Sequence, residues 1–380
     1  MNKRQKSLPV IMHHLISNDT SHIAVEPAVF ETQCELLANN GWHGIGLHEA
    51  EEFLLNGAPL PPKSFLMTFD DGYLDNYAHA WPIMKKYGHK GVVFVVTDRI
   101  TQAQKDCEAA SPEKNRHIRP TAKEVAAGIR NSEELPPIDN LLHEDGQGFL
   151  VRRDIFMNWD EARLLEESGV IAIAGHSLRH ASVFTGPRYS GFHQPGNTSR
   201  TFLQTQPPSL FGMPVFERGP EFLERAFVPS PEMMEAIAAF VPQERSAATE
   251  FFRSPDNVSA LNALVEKFKD DLGRYETEAE AAARLAGVMQ GTQETLQREL
   301  GRKSRSFCWP WGVFCEEARR QGRAAGFEVF YTTQMGINRA GNHLAVHRFK
   351  VKNRTDAWLL KRLRIYSRPL LGALYLKMRL

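Results

Sequence analysis

The chain has 380 residues, is 42% hydrophobic and 24% charged, and carries a formal net charge of +1. That length suits one large α/β domain or two smaller ones, and the charge balance excludes a strong overall field for nucleic acid. Four cysteines (Cys34, Cys107, Cys308, Cys315) form no C-x-x-C pair and no disulfide framework, which predicts a reducing compartment.

The apolar run Leu8 to Met12 is too short for a signal-peptide core, and no later stretch reaches the roughly 18 apolar residues that span a bilayer. A cytoplasmic protein is therefore expected. Leu8 to Leu15 reads as a buried strand and Pro27 to Asn40 as a helix stopped at Asn40-Gly41. Ser64 to Phe69 is a second strand, ending in Asp70-Asp71-Gly72. A helix from about Tyr73 to Tyr87 and an apolar strand Gly91 to Thr97 complete a βαβ unit. Residues 99–153 mix charge, Pro and Gly and read as a surface insertion.

Asn158-Trp159-Asp160-Glu161 has the residues of a helix start, and Val170 to Ala174 is the next strand. Residues 182–300 read as an inserted cap, loop-rich to Pro231 and then helical. The parent pattern returns with Ser306 to Trp311, a helix Cys315 to Ala325 and a strand Glu328 to Thr332. The barrel-forming parts are thus 1–181 and 301–349, followed by a basic segment 350–380.

Two motifs carry chemistry. Thr68-Phe69-Asp70-Asp71-Gly72-Tyr73 lies where a strand meets a loop, the place where α/β proteins put their active sites. Adjacent carboxylates stay ionised there only beside positive charge, although Asp-Asp-Gly is also ordinary turn chemistry. His176-Ser177-Leu178-Arg179-His180 follows the strand Val170 to Ala174, and two imidazoles at this spacing can meet one metal ion. Both motifs leave predicted strands of one α/β pattern, so they should face one cleft. A carboxylate and two imidazoles leave open coordination positions, and the second carboxylate is free to act as a base.

With these motifs the sequence resembles the polysaccharide deacetylases, the NodB-homology domain of carbohydrate esterase family 4. The family's T-F-D-D-G matches Thr68 to Gly72, and its H-[S/T]-x-x-H matches His176 to His180. The resemblance covers about residues 8–98, 156–184 and 304–348. It implies an α/β fold, a distorted (β/α) barrel of about seven parallel strands, here with a large, mainly helical insertion. It implies that Asp70 is the base and that Asp71, His176 and His180 hold one divalent metal, zinc first, with cobalt, nickel or iron as alternatives. The metal would polarise the amide and activate its bound water, and Asp70 would take the proton.

The family's third motif, R-x-P-[YF], aligns with Cys308-Trp309-Pro310-Trp311. Trp311 takes the aromatic place, where its N–H would stabilise an oxyanion, but Cys308 replaces the arginine that orients the base. That loss resembles a permuted branch, similar to poly-N-acetylglucosamine deacetylases, which places its acid histidine just after the first strand. Val10-Ile11-Met12-His13-His14 stands there. His13 is the favoured acid, with His14 and His347 as the other candidates.

The implied reaction is hydrolysis of an N-acetyl group from a sugar or glycan in surface-polysaccharide biosynthesis. Hydrolysis of another linear amide or ureide on the same fold, and sugar binding without catalysis, are the alternatives. A serine hydrolase is disfavoured because Gly175-His176-Ser177-Leu178 is followed by Arg179, not the second Gly of a nucleophile elbow. The 182–300 insertion, with Phe184, Tyr189, Phe192 and Phe202 near its start, is expected to shape the pocket. The basic, apolar-interleaved segment 350–380 reads either as a solvated terminal helix or as a contact with an anionic membrane at its inner face.

Overall fold

The computed structural model describes residues 4–18, 21–109, 121–128, 143–144, 150–151, 156–195, 205–206, 210–223, 225–353 and 356–378. The sheet is built from Val10–His13 (β1), His43–Gly44 (β2), Ser64–Asp71 (β3), Gly91–Val95 (β4), Ile171–Gly175 (β5), Ser306–Cys308 (β6), Val329–Tyr331 (β7) and Phe349–Lys350 (β8). These strands pair in parallel in the order β7-β6-β5-β4-β3-β1-β8, with β2 against the start of β3. Seven strands along this path make a distorted (β/α) barrel.

The apolar runs belong in such a sheet because both of its faces are covered. Alternate residues point opposite ways along each strand. Val10, Leu66, Val92, Phe94, Ala174, Cys308 and Tyr331 fill the inside. Ile11, Phe65, Met67, Phe69, Val93, Val95, Ile173 and Phe307 pack outward in the core shared with the helices. Those helices include Pro27–Asn39 (α1), Leu47–Asn56 (α2), Trp81–Tyr87 (α3), Thr97–Ala109 (α4) and Trp159–Glu167 (α5). A reciprocal cap starts α5: the Asn158 side chain accepts from Glu161 N–H, and the Glu161 carboxylate accepts from Asn158 N–H.

Two expected boundaries move. Ile100 and Ala103 bury one stripe of α4 in the barrel core, so residues 99–109 belong to the barrel and not to an insertion. Residues 110–120 and most of 129–155 lie outside the described residues. The cap also differs from the expected one. Its beginning is not loop: Ser182–Phe192 pairs antiparallel with Pro214–Pro220 despite the intervening Gly and Pro. Pro231–Phe240 (α6), Arg245–Arg253 (α7) and Pro255–Glu266 (α8) complete a separate small core around Phe216, Met233, Ile237 and Leu261. The long helix Glu278–Leu300 (α9) is barrel wall, because Leu285, Val288, Met289 and Leu296 join the main core.

Glu316–Ala324 (α10), Asp356–Tyr366 (α11) and Pro369–Lys377 (α12) follow. The sheet's two edges, β7 and β8, are joined by the segment entering β8. Val346 bridges Tyr331 in parallel, Thr332 N–H donates to Val346 O at 2.9 Å, and Arg348 N–H donates to Gln334 O at 2.9 Å.

Candidate active site

Strand register decides which side chains enter the barrel. Met12 lies opposite Thr68 and His13 opposite Phe69, so even-numbered residues of β1 and β3 face inward. Asp70 is therefore interior, and it is 2% exposed. Arg348 grips it with two hydrogen bonds, Nη1 to Oδ1 at 2.6 Å and Nη2 to Oδ2 at 2.8 Å. The same guanidinium donates through Nε to Thr332 O (2.7 Å), through Nη1 to Thr68 Oγ1 (3.1 Å) and through Nη2 to Cys308 Sγ (3.0 Å). All its N–H groups are used. Burial by itself would raise the Asp70 pKa; the Arg348 charge, then His176 and His14, override burial and hold the carboxyl well below the usual range.

Asp71 turns away from its neighbour because the backbone flips there, with φ of 76°. Of the five non-glycine residues with positive φ among the described residues, Asp71, Ser177, His180 and Trp311 are four, so backbone strain is concentrated at this one place. Asp71 Oδ1 stands 3.7 Å from His176 Nε2 and 3.6 Å from His180 Nε2. The three donor atoms lie within 4.8 Å of one another. Asp71 Oδ1 is buried and accepts no hydrogen bond. A buried carboxylate oxygen without a donor, facing two imidazole nitrogens, fits a divalent metal.

The surroundings orient these ligands. His176 Nδ1–H donates to Cys308 O at 2.8 Å, which leaves Nε2 as the lone-pair donor. Ser177 Oγ accepts from His180 N–H at 2.7 Å and fixes the turn between the histidines. The start of α4 holds the same loop, with Thr97 N–H donating to Ser177 O and Asp98 N–H to Leu178 O. Burial, ahead of the opposing Asp71 charge, pushes the His180 pKa down to about 3, so its ring is neutral and available as a ligand.

The histidines after β1 separate cleanly. His13 points outward, stacked on Phe69 and edge-on to Phe30, each with centroids 5.4 Å apart. His14 points inward, its Nε2 3.9 Å from Asp70 Oδ2. The geometry therefore places His14, not the favoured His13, beside Asp70, because a strand alternates its faces. His347 is not brought in either: its ring lies against Gly336, and only its neighbour Arg348 reaches Asp70.

Trp311 is 40% exposed and sets its ring edge against His180, centroids 4.2 Å apart. Trp309 is fully buried among Phe222, Phe307, Phe314 and Phe330 and is a packing residue. Phe184 is equally buried in the cap's own core, with Tyr189 and Phe192 packed against it, so none of these three shapes the site; Phe202 lies outside the described residues.

Three contributors went unread in the sequence. Arg348 supplies the cation that Cys308 does not, and its signal was a lone arginine between the apolar positions Val346 and Phe349. Tyr73 stacks on Phe156, and burial with the nearby Asp71 charge raises its pKa well above the usual value. Arg99 places Nη1 3.7 Å from Asp71 Oδ1, over the Phe156 ring.

Residues 57–206, which hold both motifs, match the family model described as polysaccharide deacetylase. A Bacillus subtilis protein described as a polysaccharide deacetylase, YxkH, is 37% identical over 94 residues, 25% of this chain and 33% of that one. The poly-β-1,6-N-acetyl-D-glucosamine N-deacetylase of Escherichia coli K12 is 19% identical over 335 residues, 88% of this chain and 34% of that one. The chain thus spans about a third of the length of the curated relatives it matches. A solved de-N-acetylase from Aggregatibacter actinomycetemcomitans shares the fold, with a TM-score of 0.59 at 18% identity over 94% of this chain and 99% of that one. Residues 57–206, with both motifs, thus match the polysaccharide deacetylase family, and the chain as a whole shares the fold of the solved de-N-acetylase.

Proposed function

We propose that this protein is a metal-dependent hydrolase that removes the N-acetyl group from an amino sugar within a glycan or its precursor. One observation carries the reading: a buried carboxylate gripped by Arg348 stands beside the separate donor set Asp71, His176 and His180 at the carboxyl ends of the strands. The family match and the activity for which the Escherichia coli relative is named support the sugar amide as substrate. Cys34, Cys308 and Cys315 form no disulfide among the described residues, which suits a reducing compartment.

Asp71, His176 and His180 would hold the ion, with zinc the best match to one carboxylate and two imidazoles. When bound, it supplies Lewis acidity at that corner of the site. Asp70, kept ionised by Arg348, takes a proton from the attacking water. His14 is neutral at rest because burial outweighs the raising effect of Asp70 and Asp71. The proton taken by Asp70 passes by way of His14 to the departing amine. The Trp311 N–H serves the developing oxyanion, and its ring covers one side of His180.

The test is acetate release from a panel of N-acetylated sugars, comparing chelated protein with protein reloaded with Zn²⁺ or Co²⁺. Asp71→Asn should lose bound metal and activity together, whereas Asp70→Asn should keep its metal and lose turnover. Full activity in the chelated protein, or Asp70→Asn that still turns over, refutes the assignment.

A further inference from the structure

Half-way down the C-terminal helices the surface chemistry changes. Leu370 is 85% exposed, Leu374 57%, Met378 78% and Leu371 40%. These are four of the eight large hydrophobic residues exposed among the described residues, and all four fall within nine positions. At 3.6 residues per turn they occupy an arc of about 100° on α12. The opposite side is seated, since Gly372 packs on Ile337 and Tyr375 meets Tyr366 edge-on and lies under the Arg362 guanidinium. The bare stripe is therefore the helix's outward face.

Charge identifies what would cover it. Residues 357–378 contain no acid, and Arg368 and Lys377 at the two ends of α12, with Lys361 and Arg364 on α11, are exposed. Protruding leucines on a helix with a cation at each end match the acyl-headgroup boundary of an anionic bilayer, whereas the hydrophobic side of a protein interface usually meets a complementary groove. No helix among the described residues is long and apolar enough to cross a membrane, so the contact would be peripheral.

We infer that α11 and α12 dock this protein on an anionic lipid surface through Leu370, Leu371, Leu374 and Met378. The face lies away from the reaction. Ile337, on which α12 sits, adjoins Asn338, and Asn338 O accepts from Leu8 N–H at the amino-terminal side of β1. The catalytic groups occupy the carboxyl ends. Docking on this side leaves the mouth of the site open and holds the enzyme in the layer where membrane-borne glycan precursors are found. The lipid contact does not depend on the proposed reaction, and the two can fail separately.

The experiment is flotation of the full chain with phosphatidylcholine vesicles, with and without phosphatidylglycerol. Binding should require the anionic lipid, weaken in high salt, and fall by about tenfold or more in Leu370→Glu/Leu374→Glu and in Arg368→Glu/Lys377→Glu. Both variants should keep the wild-type rate on a soluble substrate and the wild-type melting point, because the residues are exposed and remote from the site. Equal binding of the variants, or no flotation with anionic vesicles, overturns the inference. A dimer by light scattering that the leucine variant dissolves also overturns it, by assigning the face to a second copy of the chain.

Discussion

Replacing Arg348 with Met tests the heart of the site. The substitution removes the double grip on Asp70 and three further hydrogen bonds, to Thr68, Thr332 and Cys308. It leaves a carboxylate only 2% exposed without its counter-charge. Breaking a buried pair from one side costs about 3–5 kcal/mol, and urea unfolding of the chelated protein at neutral pH should show that loss. The pH dependence has a definite sign. In the wild type the Asp70 pKa is depressed, so its contribution is present above the unfolded carboxylate pKa of about 4 and fades as pH falls below that. In the variant burial acts unopposed by Arg348 and raises the pKa, so the folded state binds a proton more readily than the unfolded chain. The deficit should then grow from about pH 4 to about pH 7. Adding Asp70→Asn should recover roughly 1–3 kcal/mol as a coupling term. An Arg348→Met protein within about 1 kcal/mol of wild type, or a deficit that ignores pH, would refute the assignment of Arg348 as the base's partner.

The histidines after β1 should behave as opposites. His14→Gln should lower kcat by about a hundredfold or more, while His13→Phe should leave turnover unchanged in an acetate-release assay. Burial pushes the His13 pKa down to about 3, so the neutral ring's contribution is intact above about pH 6.5 and is lost as the pH falls toward its folded value. His13→Phe should accordingly flatten the acid side of the stability profile, followed by urea midpoints. Gly312→Ala should destabilise by about 2 kcal/mol, because φ is +75° there and a Cβ would meet Thr333 Oγ1 at 2.1 Å. The same change should raise KM by shifting Trp311, and intrinsic fluorescence with steady-state kinetics would check both effects.

The cluster of Asp71, His176 and His180 beside Asp70 was legible because each residue sits in a contiguous motif directly after an apolar strand. Their convergence needed only the rule that parallel strands present their carboxyl ends together. Arg348 was not legible, since its role depends on closure of a seam between segments 278 residues apart. The choice between His13 and His14 failed for want of register: once Met12 is known to lie opposite Thr68, alternation selects His14. The helix Glu278–Leu300 looked like part of the cap because it is rich in Ala and Glu, yet Leu285, Val288, Met289 and Leu296 form a stripe at helical spacing that faces the barrel. The strands at Ser182–Phe192 and Pro214–Pro220 were hidden by Gly and Pro, which the observed register shifts accommodate.

The seam between β7 and β8 has a consequence for when the protein becomes competent. Arg348 ties Thr332 beyond β7, Cys308 at the end of β6 and Asp70 on β3 into one cluster, and it enters only when the sheet's edges meet. Contacts of such long sequence separation form slowly, because the loop entropy must be lost before they return any stability. A chain with only its first half folded holds Asp70 as a carboxylate lacking its guanidinium, in a half-built wall. The proposed hydrolysis then requires completion of the whole barrel, and an interrupted fold should stay silent rather than partly active.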